Sequence, residues 1–326
     1  MLQEAGKPEV SDVLDPIPGP GEVVLAVDAC GICGTDLHIY DGEFAPTPYP
    51  IVPGHEFCGE VVAVGEGTDI VEGAFAAVDP SLFCGRCLEC RRGSGNLCRD
   101  WGAIGVTADG AFADFVRVPA ANVYPLPESM PRTWGTIVEP LSCAVHAMDR
   151  LGPLMGRSAL IYGAGTMGLL LTQLVRREGA ARVDVVDPRA ERLPIARRVG
   201  ADEVGPEADS LNESDWDLVV DATGAIAAIE DGLGRVARGG RFLVFGVAPA
   251  QATARFSPFS IYNREVTVIG SMAVLHSFGR AVELLALGAV DPEPLLTHRL
   301  PLESYQDAIA QVRNGVGLKI QLTPSP

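Results

Sequence analysis

At 326 residues, with 47% apolar and 21% charged side chains, the chain exceeds one ordinary globular core, and two domains are the expectation. A net charge of −17, from 25 basic against 42 acidic residues, repels phosphate backbones and anionic lipid and so argues against nucleic acid or a membrane as partner. Met1 to Val10 has neither a basic nor an apolar targeting segment, so the chain reads as soluble and cytoplasmic, a compartment where eight cysteines point to metal or catalysis before disulfides.

Residues 22–29 and 57–64 read as short strands between Gly/Pro-rich turns, and 111–118 as another, which makes the first third β-rich. From about Gly135 the texture changes. Apolar runs at 158–162, 183–186, 218–220 and 241–245 alternate with helical stretches at 167–178, 189–199 and 225–238, the pattern of βαβ units on a parallel sheet. Two uncharged stretches, 158–175 and 242–254, are not membrane spans, because the first is broken by glycines and the second is too short. After Pro292 the tail ends in 318–322, a strand able to return to the first domain.

Gly163-Ala164-Gly165-Thr166-Met167-Gly168 fits G-x-G-x-x-G between an apolar strand and a helix, and the next strand ends in Asp187, 19 residues after Gly168. The glycines permit the tight turn, the approach of pyrophosphate to the backbone and close helix–strand packing, while the helix N-terminus offers free N–H groups to the phosphates. Asp187 suits the ribose hydroxyls of NAD and repels the 2′-phosphate of NADP. Arg189 and Arg192 stand nearby at what reads as an exposed, solvated helix start, and Arg192 is counted among the candidate cofactor contacts.

Cys84, Cys87, Cys90 and Cys98 are spaced C-x2-C-x2-C-x7-C, which suits a closed tetrahedral structural zinc; an iron–sulfur cluster or paired disulfides are the alternatives. A second constellation runs Cys30-Gly31-Ile32-Cys33-Gly34-Thr35-Asp36-Leu37-His38, followed by Gly54-His55-Glu56. A redox role for Cys30 and Cys33 would want a flanking βαβ unit, and none is there. Thiolate, imidazole and carboxylate gathered by a fold make a zinc site that can keep one position open.

These strings, with Glu139-Pro140-Leu141-Ser142, occur in the order of the zinc-containing medium-chain dehydrogenases. The chain resembles that family from about residue 10 to Leu322, and within it the sorbitol, other polyol and threonine dehydrogenases most. The resemblance implies a mixed α/β fold: a GroES-like β-rich catalytic domain over 1–140, completed by 292–326, and a Rossmann doubly wound parallel-sheet domain over 141–291. It implies Cys33 and His55 as catalytic zinc ligands, with Glu56 at the metal or just behind it. It implies Glu139 as a further zinc ligand, in the place before Pro-Leu where polyol enzymes have a glutamate and simple alcohol dehydrogenases supply a cysteine, with Cys143 one helical turn on as its competitor and read as a buried small apolar residue. Thr35 and His38 match the family's proton relay, and Arg299 in Thr297-His298-Arg299 matches a contact to substrate hydroxyls. His146 and His276 receive no role.

The expectation is therefore two zinc ions per chain, NAD, an alcohol or polyol substrate, hydride transfer in the interdomain cleft, and a homodimer or homotetramer. One rival is an L-threonine 3-dehydrogenase. The other is a catalytically silent NAD-binding protein, against which the intact set Cys33, His55, Thr35 and His38 argues.

Overall fold

Eleven residues, Glu22–Ile32, form strand β1, and it is buried along most of its length because it takes partners on both edges. The computed structural model describes residues 1–44 and 46–324; Ala45 and the last two residues of the expected 292–326 segment lie outside the described residues. The chain divides into two units, Met1–Ser142 with Val274–Pro326, and Cys143–Ala273.

In the first unit β1 is followed by helix α1 (Gly34–Tyr40) and strands β2 (Glu56–Val64), β3 (Phe75–Val78), β4 (Phe115–Pro119) and β5 (Val123–Pro125). Helix α2 (Val138–Leu151) leads into the second unit. That unit holds β6 (Ser158–Tyr162), α3 (Thr166–Arg177), β7 (Arg182–Val186), α4 (Leu193–Arg198), β8 (Glu203–Gly205), β9 (Trp216–Asp221), α5 (Ile226–Gly234), β10 (Val236–Val244) and β11 (Thr267–Gly270). The returning chain contributes α6 (Phe278–Ala286), β12 (Leu296–Pro301), α7 (Tyr305–Asn314) and β13 (Lys319–Thr323) to the first unit.

Among the described residues the first unit holds a seven-stranded sheet in which β12, β13, β1, β2, β3 and β5 follow one another and β4 also pairs with β1. One edge of β1 carries β2. The other carries two strands end to end, with β4 opposite Glu22–Ala26 and β13 opposite Cys30–Ile32. The C-terminal strand thus closes the sheet beside the Cys30–Cys33 motif, and its Ile320 and Leu322 join Val23, Leu25 and Ile39 in the core of this unit.

The second unit is a six-stranded, wholly parallel sheet in the order β8, β7, β6, β9, β10, β11. Strands β6, β7 and β9 are buried almost end to end, as a sheet covered on both faces requires. The order reverses between β6 and β9, the switch point at which doubly wound folds take ligands beyond the strand C-termini. The glycine-rich loop follows β6 at that place.

Three expected elements shift, two of them for identifiable reasons. The helix expected over 225–238 stops at Gly234. Val236 is already in β10, fully buried and paired with Trp216, a contact that further helix would forfeit. The strand expected over 111–118 pairs only from Phe115. Ahead of it the N–H groups of Ala111 and Phe112 donate to the carbonyls of Gly54 and Pro53, so this stretch braces the loop that carries His55. The 189–199 helix divides into a 3-10 turn, Ala190–Arg192, and α4.

If β13 closes the first unit as a core strand, truncating Ile320, which is fully buried opposite Ile32, removes packed atoms that neighbours cannot replace. Ile320→Ala should cost about 2–5 kcal/mol of unfolding free energy. Urea denaturation followed by fluorescence checks this, and an unchanged midpoint would show that the strand is not part of the cooperative core.

Candidate active site

Cys33 is the N-cap of α1, with extended backbone (φ −133°, ψ −176°). Its sulfur accepts the N–H of Thr35 at 3.3 Å, and its own N–H donates to Asp36 Oδ2 at 2.9 Å, a reciprocal capping box with sulfur in the usual hydroxyl place. The cap therefore fixes where the sulfur points. It also sets Thr35 and His38 three residues apart on the helix surface, where side chains are neighbours.

His55 and Glu56 reach the same place from the start of β2. The turn before them needs Gly54, whose φ is +103° and whose missing Cβ would meet Cys30 Sγ and Phe112 N, each at 2.9 Å. Cys33 Sγ lies 3.1 Å from His55 Nε2, and one donor atom from each of Cys33, His55 and Glu56 falls within 4.8 Å of the others. All three are wholly or largely shielded from water.

The electrostatics of this cluster are those of crowded negative charge. Burial pushes the Cys33 thiol up, with His55 pulling the other way. Burial alone would push His55 down, but Cys33 and Asp36 outweigh it, with Glu139 adding, and hold the imidazolium well above its usual range. Burial likewise raises Asp36. Such a donor set fits a divalent cation, which favours the thiolate and takes the lone pair of Nε2. His55 Nδ1 and Asp36 Oδ1 are both buried without a hydrogen-bond partner and lie 3.6 Å apart. With Nε2 on a metal, Nδ1–H faces that carboxylate, the arrangement that orients metal-binding histidines.

Glu139, in the first turn of α2, acts on His55 and Lys319 through its charge, and the helix sets Cys143 one turn further along. His38 gains a partner that the sequence did not suggest, Glu43, whose Oε2 lies 2.9 Å from Nδ1. A second such residue is Lys319 of β13, buried with its ammonium on Glu56 Oε2 and on the Ile32 carbonyl at 3.3 Å. Strand alternation alone would turn Lys319 toward solvent, and Glu43 lies in the loop after α1. Arg299 is not drawn to this cluster; its Nη2 donates to the carboxylate of Asp28 at 3.1 Å and to the Asp28 carbonyl at 3.3 Å.

Cys84, Cys87, Cys90 and Cys98 also converge within 4.8 Å, and all eight cysteines are free thiols, which sets aside the disulfide alternative for the lobe. Backbone N–H groups of Cys84 and Asp100 donate to Cys98 Sγ, and that of Cys87 donates to Cys84 Sγ, at 3.3–3.4 Å. The backbone N–H groups of Arg86 and Cys87 hold the Cys84 thiol down at about 6, whereas burial and the neighbouring thiols push Cys90 up to about 12. Four thiolates this close need a cation between them. His276 Nε2 lies 3.1 Å from the carbonyl of Gly93, at the edge of this lobe.

The glycine-rich loop has the expected geometry. Gly163 has φ +101°, and a Cβ on Gly168 would lie 1.8 Å from the Gly163 carbonyl oxygen. Thr166, Met167 and Gly168 open α3, with Gly165 as its N-cap. Asp187 accepts the N–H of Ala164 on one oxygen and that of Arg189 on the other, both at 2.8 Å. Arg192 is not the solvated residue expected. Its side chain is 17% exposed, 3.7 Å from Asp187 Oδ2, and its Nη1 lies 3.7 Å from where a Cβ of Gly165 would be.

Residues 19–128 match the family described as alcohol dehydrogenase GroES-like domain, and residues 166–286 the family described as zinc-binding dehydrogenase. D-arabinitol dehydrogenase 1 of Uromyces fabae is 36% identical over 93% of this chain and 90% of its own. An L-threonine 3-dehydrogenase of Pyrococcus abyssi is 37% identical over 94% of this chain and 92% of its own. A zinc-binding dehydrogenase of Sinorhizobium meliloti 1021, solved bound to NADP, matches with a TM-score of 0.94 and 33% identity, over 99% of this chain and 97% of its own.

The Asp36–His55 arrangement has a measurable consequence. Asp36→Asn removes the anion facing Nδ1 and should weaken metal retention at this cluster about 10–100-fold, by chelator competition, while leaving the tetra-cysteine lobe loaded. Equal retention in the variant would show that Asp36 only caps α1.

Proposed function

This chain belongs to the zinc-binding dehydrogenases with an alcohol dehydrogenase GroES-like domain, and from that premise we propose that it oxidises a polyol or other secondary alcohol with NAD. The observation that carries this reading is the convergence of Cys33, His55 and Glu56 at the cap of a helix that also bears Thr35 and His38.

Zinc bound by Cys33, His55 and Glu56 supplies a Lewis acid that lowers the pKa of a hydroxyl, and a nicotinamide dinucleotide on the Gly163–Gly168 loop supplies the hydride acceptor. The chain's own groups do the rest. Thr35, whose N–H is tied to Cys33 Sγ, accepts the substrate's hydroxyl proton at Oγ1 and passes its own to His38. Glu43 steadies His38 at Nδ1, and the partial exposure of both lets the proton leave to water. Glu56 and Glu139 give the centre carboxylate character in place of a second thiolate. A hydroxyl-rich substrate offers partners to such groups, and each one left unpaired by a plain alkyl alcohol costs about 1–3 kcal/mol. The guanidinium N–H groups of Arg299 not engaged by Asp28 are candidates for a further hydroxyl.

The tetra-cysteine lobe is read as the second, structural zinc. NAD is preferred over NADP because Asp187 puts a carboxylate at the end of β7, where a 2′-phosphate would be repelled; Arg192 beside it pulls the other way. The NADP in the Sinorhizobium meliloti structure makes this preference a matter for assay. Free thiols suit a reducing cytoplasm. The exposed Phe259, Tyr262 and Val268, on and beside edge strand β11, suit a homodimer or homotetramer.

A panel of erythritol, arabinitol, xylitol, sorbitol, butane-2,3-diol, L-threonine and ethanol, each with NAD and with NADP, separates the readings. Polyols or vicinal diols with NAD should lead ethanol and L-threonine by about 10²-fold or more in kcat/KM, the weight of two missing hydroxyl contacts. L-threonine at the head would make the protein a threonine dehydrogenase instead, a reading favoured by its Pyrococcus relative. Turnover of none of them would favour the silent one.

A further inference from the structure

Glu56 and Lys319 meet across a strand that separates them. Glu56 lies on β2 and Lys319 on β13, the two neighbours of β1 at its Cys30–Ile32 end. Between them on β1 is Gly31, in register with Glu56 on one side and with Gln321 on the other. A Cβ at Gly31 would lie 2.4 Å from Glu56 Oε2 and 3.1 Å from Lys319 Cδ. The glycine of the Cys-Gly-Ile-Cys string is therefore the gap through which the two side chains touch.

Both are 2% exposed, so this is a dry ion pair. Burial acts to neutralise Lys319, but Glu56 first, then Cys33 and Glu139, hold it charged. Its ammonium has two acceptors among the described residues, Glu56 Oε2 and the Ile32 carbonyl, and the latter belongs to the residue before Cys33. The ammonium thus anchors one carboxylate oxygen of Glu56 to the backbone that sets the position of Cys33.

We propose that Lys319 is a positioning residue that restrains Glu56 to offering a metal at most one oxygen, so that a coordination position stays available to substrate. The proposal rests on the reading of Cys33, His55 and Glu56 as the metal donors. A carboxylate with both oxygens free can chelate a metal in two-point fashion, and one already neutralised on Oε2 cannot without breaking a buried ion pair. Lys319 also adds a positive charge beside the donors, which weakens their hold on a cation. Its removal should then tighten metal binding, whereas loss of a residue that merely supports a ligand loosens it by about 10–100-fold. The sign separates the two roles.

The test uses full-length protein with cobalt(II) exchanged into the Cys33 site and zinc left in the tetra-cysteine lobe. Lys319→Met should release cobalt to a chelator at least about tenfold more slowly. Its visible bands should become weaker and shift to the blue, as a rise in coordination number demands. Lys319→Arg should return both readouts toward the unmutated protein. Lys319→Gln keeps a donor for Ile32 without the charge, should shift both in the same direction, and serves if the methionine variant does not fold. In a Glu56→Gln background Lys319→Met should leave the spectrum unchanged, because no second carboxylate oxygen remains to be freed. Faster release, unaltered release, or the same spectral change in both backgrounds overturns the proposal. Cobalt entering only the tetra-cysteine lobe of the unmutated protein overturns the metal reading itself and this inference with it.

Discussion

Negative charge packed out of water is the constraint on which the first unit depends. Cys33, Asp36 and Glu56 act on one another, and Cys33, Asp36 and Glu139 act on His55, within a site that burial has largely dried. Two like charges about 4 Å apart repel by about 4 kcal/mol at the effective dielectric of such places, and one lysine does not neutralise the set. A divalent cation together with that lysine offsets three of the four charges. The local features of the fold serve that meeting: the sulfur-capped helix, the left-handed turn at Gly54, the gap at Gly31, and the C-terminal strand that brings Lys319 alongside.

The same physics recurs at the two other functional loops, with different partners. In the tetra-cysteine lobe, backbone N–H groups are turned toward sulfur, and they lower the Cys84 thiol without being able to lower all four. In the second unit the Gly163–Gly168 loop offers N–H groups and no charge of its own, and Asp187 and Arg192 set the sign of what approaches. That carboxylate is tied to Ala164 of the loop it overlooks, so a change at Asp187 disturbs the turn as well as the charge.

Legibility in the sequence followed the range of the physics. Spacing within a motif is short-range, so the two cysteine sets, the glycine-rich loop, and the strands at 158–162 and 183–186 could be read directly. The Glu56–Lys319 pair joins residues 263 apart, and nothing near Lys319 marks it as buried; only the register of β13 on β1 does. Asp36 beside His55 and Glu43 beside His38 were likewise hidden, because each depends on how a helix end or loop turns. The overrun of the 225–238 helix has the opposite cause. Local propensity continues past Gly234, and pairing of Val236 with Trp216 overrides it.

The central claim is that Cys33, His55 and Glu56 form a cation site independent of the tetra-cysteine lobe. Metal content of the freshly purified protein and of its Cys33→Ala variant tests it most directly. The account predicts two zinc ions per chain, falling to one in the variant with the fold retained. One zinc ion in both proteins, or loss of both from the variant, would contradict it.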